Sequence, residues 1–151
     1  MNRIGRRPAD LTAADRRKTD LIGIVIVAHG GLATEYLSAV EYVVGKQSGI
    51  YAIAIAPDDD RGLKQDEICE AADAVDMGDG VVIVTDMFGG SPSNLSLRAC
   101  SPSNRRILYG ANLPMLVKLA KSRLKSVPDA VTAAMDAGRK YIDSHAVDLD
   151  P

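Results

Sequence analysis

Apolar runs that stop at histidine, aspartate or glycine alternate along this chain with stretches whose apolar positions recur every three or four residues. The first run, Ile22-Gly23-Ile24-Val25-Ile26-Val27-Ala28, is too short and too continuous for an amphipathic helix. It predicts a strand buried on both faces that ends at His29-Gly30-Gly31. In residues 33–44, Leu37, Val40 and Val44 fall at helical spacing with Ala33, Tyr36 and Val43 beside them, Glu35 and Glu41 stand outside that stripe, and Gly45 closes the helix. Residues 50–56 alternate as a second strand and run into Pro57-Asp58-Asp59-Asp60. A helix over 64–74 and a turn over 78–80 lead to a third strand over 81–85. That strand enters Asp86-Met87-Phe88-Gly89-Gly90-Ser91-Pro92-Ser93-Asn94, where Ser91 as cap and Pro92 in the first turn open a helix through residue 99. A fourth strand over 106–111, the turn Asn112-Leu113-Pro114, a helix over 114–122 and a final amphipathic helix over 129–144 complete the pattern.

Repeated strand–helix units with short connections imply right-handed crossovers and a mainly parallel sheet with helices on both faces, so the expected fold class is α/β, doubly wound. A length of 151 residues suits one domain, expected over residues 20–145, with an N-terminal extension or short capping helix over 1–19 and a tail over 146–151. An apolar share of 46% and a charged share of 25% exclude disorder throughout. A net charge of −2 gives no general drive toward nucleic acid or an anionic membrane, and 4% aromatic residues leave few platforms for stacking single strands. The segment before Leu21 carries five arginines and no apolar core, which excludes a secretory signal and points to a cytoplasmic protein without membrane insertion. Cys69 and Cys100 are too far apart in sequence for a redox dithiol or zinc motif and read as two reduced thiols.

Candidate chemistry gathers where the predicted strands end. In an open parallel sheet those carboxyl ends share one edge, where ligands collect, and the edge here collects His29, Asp58 to Asp60, Asp86 with Gly89-Gly90-Ser91, and Asn112. A carboxylate beside an imidazole holds one ring nitrogen as N–H and leaves the other nucleophilic, a role open to Asp86. The Gly89, Gly90 and Ser91 amides and the Ser91 hydroxyl, at a helix start, suit phosphoryl oxygens. Gly30 removes bulk beside the ring. Together they lead to the expectation of a histidine phosphorylation site. Each also has an ordinary reading: Asp86 as a turn cap, Gly-Gly-Ser as loop, Asn112 as a turn residue, and the three aspartates as a solvated loop and helix cap rather than a metal site. His145 reads as an exposed tail residue without a role.

The stretches Ile24-Val25-Ile26-Val27-Ala28-His29-Gly30, Val84-Thr85-Asp86-Met87-Phe88-Gly89-Gly90-Ser91-Pro92-Ser93-Asn94 and Gly110-Ala111-Asn112-Leu113-Pro114-Met115 resemble the IIA component of the mannose family of the bacterial phosphotransferase system. The similarity runs in consistent order over about residues 20–142. It implies that His29 accepts a phosphoryl group from the carrier protein HPr and passes it to a IIB component, that Asp86 pairs with the histidine, and that Ser91 is the hydrogen-bond donor on the phosphate side. Gly30, Gly89 and Gly90 would line the phosphate with it. The resemblance also implies a homodimer in which a C-terminal edge strand can be exchanged between subunits. Ala28 stands where the family often has serine or threonine, which removes one hydroxyl contact. A phosphohistidine keeps a high transfer potential, so positioning and electrostatics suffice and neither cofactor nor metal is expected. The short stretch after the last helix leads to the expectation that no IIB domain is attached. The acceptor is then a separate IIB component, or the phosphorylation state serves regulation as in stand-alone members.

Three other readings compete. A receiver-like domain phosphorylated on Asp86 or Asp58 needs a magnesium-binding acid pair at the end of the first strand, where this chain has Ala28-His29. A serine hydrolase built on Ser91, His29 and Asp86 lacks the Gly-Xaa-Ser-Xaa-Gly elbow. A pure ligand-binding or interaction module would take up no phosphate.

Overall fold

The computed structural model describes residues 21–147 except residue 88. The expected N-terminal extension or short capping helix over 1–19 and the last four residues of the tail lie outside the described residues. Strands and helices follow in the order β1 (Gly23–His29), α1 (Leu32–Val44), β2 (Ile50–Ile55), α2 (Arg61–Val75), β3 (Val81–Thr85), α3 (Ser91–Ser96), a 3-10 turn (Leu97–Cys100), β4 (Arg105–Leu108), α4 (Leu113–Lys121) and α5 (Val127–Lys140). The four strands form one sheet in the order β2-β1-β3-β4, with all neighbours parallel. This is the expected doubly wound α/β fold.

Side-chain alternation explains the two layers. Ile24, Ile26 and Ala28 of β1, with Val82 and Val84 of β3, pack against α1, α4 and α5 through residues such as Val40, Leu119 and Ala134. Val25, Val27, Val81 and Ile83 point to the other face, against Ile68, Ala72 and Val75 of α2 and against Leu95 and Ala99. Each fully buried aliphatic side chain contributes roughly 1.5–3 kcal/mol, so the two central strands are held from both sides. The order of the strands fixes where chemistry can sit. The chain leaves β1 toward β2 on one side and later returns to β3 on the other, so the connections diverge and open a crevice at the carboxyl ends of β1 and β3.

The helices begin on side chains that satisfy the free N–H groups of a first turn. Asp60 accepts from the Leu63 N–H (2.9 Å), Asn112 from Met115 (3.0 Å) and Ser126 from Asp129 (3.3 Å). Several expected boundaries shift for this reason. Asp60 starts α2 at Arg61 rather than 64, and Ser126 followed by Pro128 in the first turn starts α5 at Val127 rather than 129. The final helix stops at Lys140 rather than 144, and β4 ends at Leu108 rather than 111 because the backbone turns left-handed at Gly110 (φ 77°). The helix expected through residue 99 tightens to a 3-10 turn after Ser96, whose hydroxyl bonds back to the Pro92 carbonyl (2.6 Å).

Arg123, absent from the sequence reading, ties the opposite edge of the sheet together. It is 4% exposed. Its Nε donates to the Ile22 carbonyl (2.7 Å), and Nη1 and Nη2 donate to the carbonyls of Ser48 (2.7 Å) and Gly49 (3.3 Å). The Ile22 N–H in turn donates to the Arg123 carbonyl (3.0 Å). One side chain thus joins the entry to β1, the loop before β2 and the end of α4, and burial pulls its guanidinium pKa down. Arg123→Met takes the side-chain donor from the buried Ile22 carbonyl and from the solvent-facing carbonyls of Ser48 and Gly49, which costs ~2 kcal/mol of stability. Urea unfolding of the two proteins measures it, and a loss under ~1 kcal/mol would mean that water replaces the guanidinium.

Candidate functional site

His29 is the last residue of β1, and Asp86 is the first residue beyond β3. The crevice between the two strands therefore receives both side chains. Asp86 Oδ2 accepts two bonds from His29, one from the backbone N–H (3.0 Å) and one at ring Nδ1 (2.7 Å). The two groups differ in exposure. The Asp86 side chain is 10% exposed and the His29 ring 46%, so the carboxylate is the buried anchor and the imidazole its exposed head. Burial pushes the Asp86 carboxyl up, but the backbone bond, the ring bond and the attraction of the His29 ring outweigh it, and the group titrates below the ordinary aspartate value. An ionised carboxylate only accepts, which makes Nδ1 the donor and fixes the tautomer with Nε2 as the nitrogen bearing the lone pair.

Glycines shape the wall beside the ring. Gly30 and Gly89 hold left-handed backbone (φ 55° and 79°), which a side chain would resist. Gly90 packs on the imidazole: a methyl group there would stand 3.1 Å from Cε1 of His29. Residue 90 is also the N-cap of α3, the position expected for Ser91. Ser91 is instead the first helical residue and is exposed. The loop is braced by Ser93, whose hydroxyl accepts from the Gly89 N–H (3.0 Å) and donates to the Gly90 carbonyl (3.0 Å). Two glycine amides expected to face phosphate are already engaged in this conformation, Gly89 by Ser93 and Gly30 by the Ile55 carbonyl (2.9 Å). The donors left for that role are those that open α3, the amides of Gly90 and Ser91, with the Ser91 hydroxyl.

The other residues of this edge have structural work. Asp59 accepts from the Ala56 N–H (2.7 Å) and Asp60 caps α2, as a solvated loop and cap would. Asn112 caps α4 while its amide donates to the Gly138 carbonyl of α5 (2.8 Å), so it clasps two helices. His145 is exposed. Among the described residues, no group of three or more His, Cys, Asp or Glu side chains is arranged to hold a metal ion, and no helix is long and apolar enough to cross a membrane.

Fold and site together define a doubly wound α/β domain that presents a carboxylate-oriented histidine at its topological switch point. Comparison with known proteins places that class. The family described as "PTS system fructose IIA component" matches residues 23–135. The mannose-specific EIIAB component of the PTS from Escherichia coli K12 is 29% identical over 124 residues, covering 80% of this chain and 38% of its own length. The chain thus spans less than half of that relative. A phosphotransferase enzyme IIA component of the same organism, YadI, is 30% identical over 108 residues, 68% of this chain and 71% of its own. The crystal structure of the phosphotransferase system component EIIA from Streptococcus agalactiae superposes with a TM-score of 0.71 at 25% identity, covering 82% of this chain and 97% of that one. The chain belongs to the mannose-type family of IIA components of the phosphotransferase system.

Proposed function

We propose that this protein is a phosphocarrier that takes a phosphoryl group onto Nε2 of His29 from phosphorylated HPr and hands it to a IIB component or uses the phosphorylated state for regulation. The observation that carries this reading is the 2.7 Å contact of Nδ1 with Asp86, made on the buried side of a half-exposed ring. It orients the nucleophile and offsets the positive charge that the ring acquires as the Nε2–phosphorus bond forms and the donor's bond to phosphorus breaks. The Gly90 and Ser91 amides and the Ser91 hydroxyl supply donors for the equatorial oxygens. No acid, base or metal is needed for this exchange, because the bond broken and the bond formed are of similar energy.

The family's cytoplasmic homodimer extends the proposal. Among the described residues β4 is an outer strand of the sheet, and beside it Ile107, Leu108, Tyr109, Val131, Met135 and Ile142 line a groove of ≈ 410 Å³. An exchanged C-terminal strand from a second subunit would lie there and satisfy the edge. Residues 142–147 form no strand within the single chain.

Phosphotransfer from phosphoenolpyruvate through enzyme I and HPr, followed by intact mass, tests the main reading. A gain of one phosphate is expected. No gain with a cognate HPr would overturn it. The wall beside the ring gives a graded control. The Gly90 backbone is extended (φ −81°, ψ 173°) and tolerates a side chain, and the tightest contact of a methyl group there is with the ring, so Gly90→Ala acts chiefly on the imidazole. Phosphorylation slows about tenfold, a part of what a 1 Å misplacement costs, while the unfolding midpoint stays put. An unchanged rate would place the reactive geometry away from that wall.

A further inference from the structure

The flank of α2 is laced to the segment after α3 by charge. Arg98 of the 3-10 turn reaches Asp66 (3.5 Å), and Arg105 binds Asp73 (2.7 Å), Asp76 (3.1 Å) and the Ala99 carbonyl (3.1 Å). Residues 66, 69 and 73 share one helical face, which puts Cys69 between the two rungs. There it lines a groove with Arg98, Ala99 and Arg105. Cys100 follows Ala99 directly, and both cysteines pack against the same apolar cluster beneath α2. The thiols, distant in sequence, are therefore brought to one seam, and both are reduced here.

We propose that Cys69 and Cys100 form a redox pair that closes to an intramolecular disulfide between α2 and the 3-10 turn. Cys69, on the open groove, is the thiol that a low-molecular-weight disulfide such as glutathione disulfide meets first. Its thiolate attacks one glutathione sulfur, the glutathione S–S bond breaks, and one glutathione thiolate leaves. Cys100, its proton passed to solvent, then attacks the Cys69 sulfur of the mixed disulfide and expels the second glutathione. Two protein thiols are oxidised by two electrons, and one glutathione disulfide is reduced to two glutathiones. Burial pushes both thiols up, Cys100 to about 11, against partial lowering by Arg98 at Cys69 and by Arg105 at Cys100. Closure is accordingly slow near neutral pH and quickens as pH rises. The bond would fasten to α2 the unit that starts at Gly90 and carries Ser91.

The test incubates the protein with excess glutathione disulfide across a pH series, traps it with iodoacetamide under denaturing conditions, and reads intact mass and peptide maps. The expected product is lighter than the reduced protein by two hydrogens, resists alkylation, and shows peptides joined through Cys69 and Cys100. Its formation speeds up with pH. Cys100→Ser should stop at a glutathione adduct on Cys69. A disulfide requires Cβ atoms within ~4.5 Å, so geometry decides the outcome. Wild-type protein that also stops at the adduct, links between chains, or keeps two alkylatable thiols would overturn the proposal. The readout is at sulfur, and it stands or fails whether or not His29 takes up phosphate.

Discussion

His29→Ala protein takes up no phosphate from phosphorylated HPr, and it stays folded. Only the imidazole is lost. Residue 29 remains paired with Ile55 through the backbone, and its N–H still donates to Asp86. The ring is about half exposed, so removing its contact with the carboxylate costs at most ~1 kcal/mol. Intact mass after incubation with enzyme I, HPr and phosphoenolpyruvate measures uptake, and thermal unfolding measures the fold. Phosphate on the alanine variant at the wild-type level would move the acceptor to another residue. A collapse of the fold would leave the question open to His29→Gln, which keeps a polar side chain and should be equally inactive.

Asp86→Asn slows phosphorylation by about 10²- to 10⁴-fold, the upper figure being what the same exchange costs a histidine whose tautomer is held by a buried aspartate. The amide keeps the shape of the carboxyl but loses its charge, and it can present a donor to Nδ1 as readily as an acceptor. Rapid-quench measurement of phosphohistidine checks the rate. The stability difference between the two proteins has its own signature. Because the folded-state pKa of Asp86 lies below the unfolded value of ~3.9, its contribution is present above that pH and fades as pH falls through the lower folded value. Wild type should therefore exceed Asp86→Asn by a constant margin at neutral pH, and the margin should shrink under acid. A margin that grows toward low pH would mean that the carboxyl is protonated in the fold.

What the sequence made legible follows from the range of the forces involved. β1 and β3 could be read because a strand buried on both faces must be apolar without interruption, and the placement of His29 and Asp86 followed from where those runs stop. The start of α5 carried its own signal in Ser126 and Pro128, but the apolar period within the helix is clearest only from residue 130 onward. Its end carried a weaker one in Arg139 and Lys140 of the last turn, masked because Tyr141 and Ile142 extend the apolar pattern past Lys140 although both are exposed. Ser91 and Ser93 are equivalent as cap formers by residue type, and only the left-handed turn at Gly89 decides that Ser93 braces the loop. Arg123 could not be found, since a buried arginine serving three carbonyls from distant segments has no local pattern. The seam holding Cys69 and Cys100 is equally long-range.

The strand that carries His29 pairs with β2 as far as His29 itself and with β3 as far as Val27, beyond which Asp86 holds both the His29 N–H and its ring. Its tip is therefore a fixed post rather than a hinged arm. Under the proposed function, visiting proteins would have to bring their own phosphoryl centre to that post, and the compliance needed to dock and depart would belong to their loops. Donor and acceptor would also have to claim the same half-open ring edge, so neither can stand there while the other does. Traffic through such a carrier would then be single-file, and an excess of either visitor would hold up the other.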